Sequence, residues 1–278
     1  MTIPYAEVIG DPIAHSKSPL IHRFWLEKLG IEGDYRRAHV RPEALADYVA
    51  SRSQDPEWRG CNVTIPHKQA VMPLLDTLQR QASRVGAVNC VYRMQGRFIG
   101  ENSDVDGVLE ALGAGSSDRN FGVACMIGAG GAARAAVHAL ELAGARELRV
   151  IVRDPGRGQG LIDSFGVSGR AYAIEDSAVA MAGADVVINA SPLGMTGAAA
   201  LPDAILSELS ATSPGALVFD MVYAPLETAL LRRARDLGRE TADGLAMLIG
   251  QAAVAFRLFF GAPAPREHDA ELRALLTA

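Results

Sequence analysis

The chain has 278 residues, with 27 Lys and Arg against 32 Asp and Glu, for a formal charge of −5. That balance argues against nucleic acid or an anionic membrane as a default partner. The length allows two domains, and a composition 49% apolar and 21% charged is that of an ordinary globular protein.

Cys61, Cys90 and Cys125 are odd in number, widely spaced and set in apolar strand-like runs. They read as reduced core residues, not as a disulfide framework or metal site. The segment up to Glu7 lacks the basic and apolar regions of a secretory signal, so a cytoplasmic location is expected. Residues 245–260 form the longest apolar stretch, short for a membrane span and interrupted by Gln251 and Arg257. A buried or half-buried helix is expected there. Gly197-Ala-Ala-Ala200 reads as a loop insertion, and no internal repeat is found.

In chain order, Glu7-Val-Ile-Gly10 ends a first strand. Ser18 as N-cap and Pro19 at the first helical position predict a helix running to Leu29-Gly30. Residues 35–40 read as a strand, Pro42 opens a helix, and residues 61–65 form a third strand. Residues 66–75 and 78–85 are predicted helical, broken near Pro73. Residues 87–92 and 97–99 read as strands flanking a Gln95-Gly96 turn. A complete α/β domain therefore precedes the run Val123-Ala-Cys-Met-Ile-Gly-Ala-Gly-Gly-Ala-Ala-Arg134.

In that run, an apolar strand at 123–127 enters Gly128, Gly130 and Gly131 and then a helix over 132–140, with Ala133 at the third fingerprint position. Glycines let the backbone approach a pyrophosphate, and the helix N-terminus offers free N–H groups. A Gly-Ala-rich turn into a core helix gives the same pattern, but the context favours a dinucleotide. Ala143-Gly144 closes the helix, 148–152 supplies a second strand, and Arg153 and Asp154 follow the glycines by the ~20 residues expected of a ribose reader. Residues 184–189 and 216–220 are further strands. The expected fold class is α/β with two α/β domains: an N-terminal substrate domain and a Rossmann-like dinucleotide-binding domain, with the active site in a cleft between them.

Several side chains suit chemistry. Asn62 and Thr64 share one face of a strand, and Pro66 then turns the chain to present His67 and Lys68. A lysine at a helix start opposes the helix dipole. The ordinary reading is a solvated surface lysine, and the mismatch raises the case for chemistry. Histidine suits acid–base chemistry near neutrality, yet His67 beside a proline turn reads as packed or exposed, as do His15 and His22. In Glu101-Asn-Ser-Asp-Val-Asp-Gly107, either Ser103 or Asp104 caps the next helix, or a carboxylate is held at a domain junction. Ser16 and Ser18 suit an anion beside a helix N-terminus, and Ser18 can equally serve as the cap. No histidine and carboxylate grouping has metal-ligand spacing, so no metal is expected.

Together these motifs resemble the shikimate dehydrogenases and their shikimate/quinate relatives over essentially the whole chain. The resemblance is carried by Gly10-Asp-Pro-Ile-Ala-His-Ser-Lys-Ser-Pro19, Asn62-Val-Thr-Ile-Pro-His-Lys68, Gly86-Ala-Val-Asn89 and Asn102-Ser-Asp104. It continues through Gly128-Ala-Gly-Gly-Ala132, Asn189-Ala-Ser-Pro-Leu-Gly-Met195, Asp220-Met-Val-Tyr223 and Ala242-Asp-Gly-Leu-Ala-Met-Leu-Ile-Gly-Gln251. It implies a substrate domain of residues 1–104 completed by C-terminal helices at 244–278, and an NADP-binding domain over 105–243. The implied reaction is reversible NADPH-dependent reduction of 3-dehydroshikimate to shikimate, with Lys68 and Asp104 as the catalytic pair. Ser16, Ser18 and Tyr223 would hold the carboxylate, while Asn62, Thr64, Asn89, Asp104 and Gln251 would meet the ring hydroxyls. The cofactor would lie on Gly128, Ala129, Gly130, Gly131, Ala132, Arg153, Asp154, Arg157, Ser191, Met221 and Gly244. The implied partner is a small molecule, and the expected state is a monomer or homodimer.

The pattern departs from the family at the adenosine end. NADP-dependent members commonly carry Asn-Arg-Thr and a further arginine where this chain has Val152-Arg-Asp-Pro-Gly-Arg157. Arg153 and Arg157 favour a 2′-phosphate, whereas Asp154 repels one or accepts a ribose hydroxyl of NAD. NADP is expected, with NAD as the alternative. Ser103 stands where threonine is common. Ser18 stands where quinate-accepting members often carry threonine, which tilts the expectation toward shikimate. The rival readings are a quinate or dual quinate/shikimate dehydrogenase using NAD, and a non-catalytic nicotinamide-nucleotide sensor. Retention of both Lys68 and Asp104 counts against the sensor.

Overall fold

A computed structural model describes residues 3–113 and 121–278. The chain divides into two units, one of residues 1–103 with 251–278 and one of residues 104–250. The helix Gly244–Phe260 begins in the second unit and ends in the first.

The first unit is built on β1 (Tyr5–Gly10), β2 (Asp34–His39), β3 (Trp58–Val63), β4 (Thr77–Leu78), β5 (Cys90–Met94) and β6 (Arg97–Glu101). Their order is β2-β1-β3-β5-β6-β4. The first three are parallel, and β5 and β6 form an antiparallel hairpin against β3. Every residue of β1 is buried because both faces of the sheet are covered. Tyr5 and Ile9 pack with Trp58, Cys61, Val63, Val91 and Phe98. Ala6 and Val8, pointing the other way, pack with Tyr35, Cys90, Tyr92, Ile99, Ala255 and Phe259. Glu7 is buried among these strands and is held by Arg52 Nε at 2.9 Å and by the Tyr48 hydroxyl at 2.8 Å. Those donors offset the cost of burying its charge.

The structure corrects two local expectations. The helix at Pro19 spans Ser18–Leu29, with Lys17 at the cap position and no side-chain cap. Ser18 lies inside the first turn, and its N–H instead donates to Ser16 Oγ at 3.3 Å. The region 66–85 is also less helical than its pattern suggests. It contains the short helix His67–Ala70, a 3₁₀ turn at Met72–Leu74, the strand β4 and the helix Arg80–Val85. Pairing of Thr77 and Leu78 with Ile99 and Gly100 completes the sheet edge and outweighs the local helical preference. The Gln95-Gly96 turn is present, with positive φ at both residues, 52° and 78°.

The second unit contains β7 (Val123–Ile127), β8 (Glu147–Ile151), β9 (Gly169–Tyr172), β10 (Val186–Asn189), β11 (Leu217–Asp220) and β12 (Glu240–Ala242). All are parallel, in the order β12-β11-β10-β7-β8-β9. This is a doubly wound sheet whose order reverses between β7 and β10, where such sheets open a ligand crevice at the strand carboxyl ends. The edge strands β9 and β12 had no sequence signal, since they are short and only partly buried. One face packs Cys125, Ile127, Val187 and Val218 against Met181, Ile205, Leu209 and Leu231.

All three cysteines are free and buried. Burial pushes the Cys61 and Cys125 thiols up to about 12, so neither is a reactive thiolate near neutrality. Among the described residues no helix is long and apolar enough to cross a membrane.

His22 is fully buried on the helix Ser18–Leu29, with its ring stacked on Tyr35 at 4.0 Å and 5°. Among the described residues neither ring nitrogen has a hydrogen-bond partner. Burial lowers its pKa from 6.5 to about 3, so the folded protein keeps it neutral where the unfolded chain binds a proton. Stability from this residue is therefore complete above 6.5 and falls as pH drops below it. Between about pH 7.5 and about pH 5.5, the wild type should lose about 1.4 kcal/mol more stability than His22→Phe. Urea denaturation of both proteins at both pH values measures this, and equal losses would refute it.

Candidate active site

In the first unit β1 and β3 run together, β5 runs back and β6 returns. The carboxyl ends of β1, β3 and β6 therefore share one sheet edge with the amino end of β5. Backbone bonds tie these ends together. Asp11 N donates to Ile65 O at 3.0 Å, Thr64 N to Ile9 O at 3.0 Å, Val63 N to Asn89 O at 2.8 Å and Asn89 N to Glu101 O at 3.1 Å. Val88 N donates to Lys68 O at 2.8 Å, which fixes the turn carrying the lysine. This edge gathers Ser16, Ser18, Asn62, Thr64, Lys68 and Asn89.

Their side chains are largely committed. Ser16 Oγ donates to Ser18 Oγ at 3.3 Å, and the Arg37 guanidinium donates to the Ser16 carbonyl at 2.6 and 3.1 Å. The Tyr35 hydroxyl donates to Asn62 Oδ1 at 2.6 Å, and Asn62 Nδ2 donates to Asn89 O at 3.3 Å. Asn89 Oδ1 accepts from Ser103 N at 2.7 Å, and its Nδ2 donates to Ser103 Oγ at 3.1 Å. His67 is buried, with Nε2 2.6 Å from Val40 O, so it anchors the turn instead of facing a ligand. Lys68 is half-buried beside it, unlike a freely solvated surface lysine. Gln251 is buried on the helix segment that belongs to this unit. His15 is exposed.

In the second unit Gly128 adopts φ 102°, and a Cβ there would lie 3.0 Å from Ser191 Cβ. Gly130 stands at the cap of the helix Gly131–Leu142, which has no side-chain cap. A Cβ at Gly130 or Gly131 would meet no protein atom within 4 Å, so packing does not require glycine at either. The open space over an uncapped helix start, formed by Gly128, Ala129, Gly130, Gly131 and Ala132, fits a pyrophosphate. Arg153 and Arg157 are exposed, and among the described residues neither guanidinium has a hydrogen bond or ion pair. Asp154 caps the helix Pro155–Phe165, its Oδ1 accepting from Gly156 N at 3.0 Å. That structural duty was not anticipated for it.

The loops after β10 and β11 are locked by a buried amide and carboxyl. Asn189 Nδ2 donates to Asp220 Oδ1 at 2.9 Å and to Leu193 O at 3.0 Å, while its Oδ1 accepts from Ser191 Oγ at 2.7 Å. Asp220 also accepts from Val222 N at 3.0 Å and Thr228 Oγ1 at 2.7 Å. Burial raises the Asp220 pKa, and these donors oppose the shift. Met221 N donates to Asn189 O at 3.1 Å, and a Cβ on Gly244 would lie 2.5 Å from Met221 O. Ser191, Met221 and Gly244 thus lie beyond the carboxyl ends of β10, β11 and β12. Tyr223 follows β11 and is partly exposed, while Asp104 is buried at the start of the helix Asp104–Ala111.

Sequence reasoning assigned no role to Tyr35, Arg37, Asn189 or Asp220. Asn189 and Asp220 each end an apolar strand with a polar residue, a signal that could have found them. Tyr35 and Arg37 sit in an ordinary strand and offered none. Among the described residues no group of three His, Cys, Asp or Glu could hold a metal ion.

Comparison with known proteins accords with this geometry. Residues 8–91 match the family model of the shikimate dehydrogenase substrate binding domain, and residues 244–271 that of the shikimate 5′-dehydrogenase C-terminal domain. The shikimate dehydrogenase (NADP(+)) of Sphingopyxis alaskensis is 49% identical over 276 residues, covering 99% of this chain and 97% of that protein. The shikimate 5-dehydrogenase of Thermus thermophilus, solved with NADP(H) and shikimate, superposes with a TM-score of 0.84 at 36% identity, covering 98% and 99% of the two chains. A quinate dehydrogenase from Corynebacterium glutamicum, solved with NAD, has a TM-score of 0.85 at 32% identity over 98% and 99%. With a whole-chain relative at this identity and the same pair of α/β sheets, the chain belongs to the shikimate dehydrogenase family.

Proposed function

We propose that the protein catalyses the reversible NADPH-dependent reduction of 3-dehydroshikimate to shikimate, with the first unit as substrate domain and the second as cofactor domain. The observation that carries this reading is the sheet edge where Ser16, Ser18, Asn62, Thr64, Lys68 and Asn89 converge. It presents hydroxyls and amides for a hydroxylated ring acid, together with one half-buried ammonium.

The nicotinamide, when bound, supplies or accepts the hydride. The protein must then manage the charge that develops on the substrate oxygen. The Lys68 ammonium stabilises the developing alkoxide and gives it a proton; in the oxidative direction the neutral amine takes that proton back. Asp104 orients Lys68 and accepts a hydrogen bond from a neighbouring ring hydroxyl. Ser16, Ser18 and Tyr223 hold the carboxylate. Asn62, Thr64, Asn89 and Gln251 hold the ring hydroxyls.

Residues 128–132 take the pyrophosphate, and Ser191, Met221 and Gly244 the nicotinamide end. The exposed Arg153 and Arg157 favour the 2′-phosphate of NADP. Asp154 has a structural duty as helix cap that accounts for it without a nucleotide contact.

Initial rates with shikimate and quinate, each with NADP and NAD, test substrate and cofactor together. The highest kcat/KM should be for shikimate with NADP. A higher value for quinate or NAD would replace that half of the assignment, and absent turnover with intact cofactor binding would favour a sensor. Lys68→Ala should lose roughly 10²- to 10⁴-fold in kcat with little change in KM for shikimate. A loss confined to KM would make Lys68 a binding residue. Arg153→Ala and Arg157→Ala should each raise KM for NADP about tenfold while leaving KM for NAD unchanged.

A further inference from the structure

We infer that Lys17 and Arg37 are positioning residues, which clamp the loop after β1 from two sides and so set the place of Ser16 and Ser18. The inference rests on the substrate assignment above, and it places neither side chain against the ligand.

The loop leads from β1 into the helix Ser18–Leu29. Within it, Ser16 N donates to Ile13 O at 3.1 Å, Ser16 Oγ donates to Ser18 Oγ at 3.3 Å, and Lys17 O accepts from Leu20 N at 3.1 Å. Bonds of this kind shape a loop but do not locate it on the sheet. Among the described residues, two hydrogen-bonded links join residues 12–17 to another element. The Arg37 guanidinium, on β2, donates through Nη2 and Nε to Ser16 O at 2.6 and 3.1 Å. The Lys17 ammonium donates to Leu276 O at 2.6 Å, in the last turn of the helix Asp269–Thr277. All of these residues belong to the first unit.

The chemistry of each link is specific. A lysine at the cap position of Ser18–Leu29 opposes the dipole of that helix. Its ammonium instead reaches the carboxyl end of Asp269–Thr277, where a carbonyl has no partner within its own helix and the dipole favours a cation. Arg37 commits two donors of its planar fork to one backbone oxygen, while its neighbour Arg36 pairs with Asp34 at 2.8 Å. Among the described residues neither Lys17 nor Arg37 forms an ion pair. The links hold consecutive residues, Ser16 and Lys17, directly ahead of Ser18. With either one cut, the loop is fixed on one side only, and the two hydroxyls lose their set distance from Asn62 on β3. A second cross-link between the same two helices, Lys28 to Glu271 at 2.7 Å, docks them without touching the loop.

Lys17→Met and Arg37→Met remove the donors and keep an apolar side chain. Each should raise KM for shikimate about fivefold, leave kcat within about twofold and leave KM for NADP unchanged. Lys17→Arg should bring KM back to within about twofold of wild type. Lys28→Met, which cuts the other link between the helices, should leave KM for shikimate unchanged. Screening does not restore a lost tether, so the KM ratios of variant to wild type should persist between about 0.1 M and about 1 M KCl. Wild-type KM in either folded Met variant, an equal rise in Lys28→Met, or ratios that fall to one at high salt would overturn the inference. Should a Met variant fail to fold, Lys17→Gln and Arg37→Gln carry the same expectations. Failure of the wild type to oxidise shikimate would overturn the functional reading instead, and it is measured before any variant.

Discussion

β1 and β3 lie side by side in the same direction, and β5 pairs with β3 in the opposite sense. This pairing delivers the loop after β1, the turn after β3, the chain entering β5 and the chain leaving β6 to one edge. None of the polar side chains proposed for the substrate is near the next in sequence except within its own loop. What brings them together is register. A one-residue slip of β3 would turn Asn62 and Thr64 to the opposite face and Val63 toward theirs. The slip is opposed by the two apolar layers, since Cys61 and Val63 pack on one face while Ala6, Val8 and Cys90 pack on the other.

Burial on both faces has a second consequence. Polar groups near the sheet edge are withdrawn from water and must find partners. Asn62, Asn89 and Ser103 find them in one another, in Tyr35 and in the backbone. A network of this kind specifies orientation as well as stability, because each amide has one end that fits its partner. The second unit uses the same device. There Asn189 and Asp220 join the loops after β10 and β11, and Ser191 and Met221 take their positions from those two residues. The two units differ in what they leave unsatisfied. Among the described residues, the second retains an uncapped helix start and the Arg153 and Arg157 guanidiniums without a hydrogen bond or ion pair, features suited to phosphate.

Much of this was legible in the sequence. The apolar runs ending in polar or glycine residues located most strands, and the glycine run ahead of residues 132–140 located the doubly wound sheet. The chemistry-bearing motifs were legible as well, and their resemblance to a known family named the expected roles of Lys68 and Asp104. Local errors arose where a tertiary partner overrode local preference. Thr77 and Leu78 became an edge strand because β6 had a free side. Ser18 entered the first turn of its helix, and Ser16 accepted its N–H. Asp154 was weighed only as a nucleotide contact and proved to cap a helix.

By itself the sequence determined residue chemistry and period: which side chains carry charge, which alternate along a strand, and where glycine permits close approach. These are properties of single residues and their near neighbours, and they survive without coordinates. Only the tertiary structure decided which of these groups meet. Tyr35 and Asn62 are 27 positions apart, and Asn189 and Asp220 are 31 apart, yet each pair shares a short hydrogen bond. Strand order and register set such pairs, and both depend on burying two faces of a sheet at once. That cooperative constraint is not written at any one position.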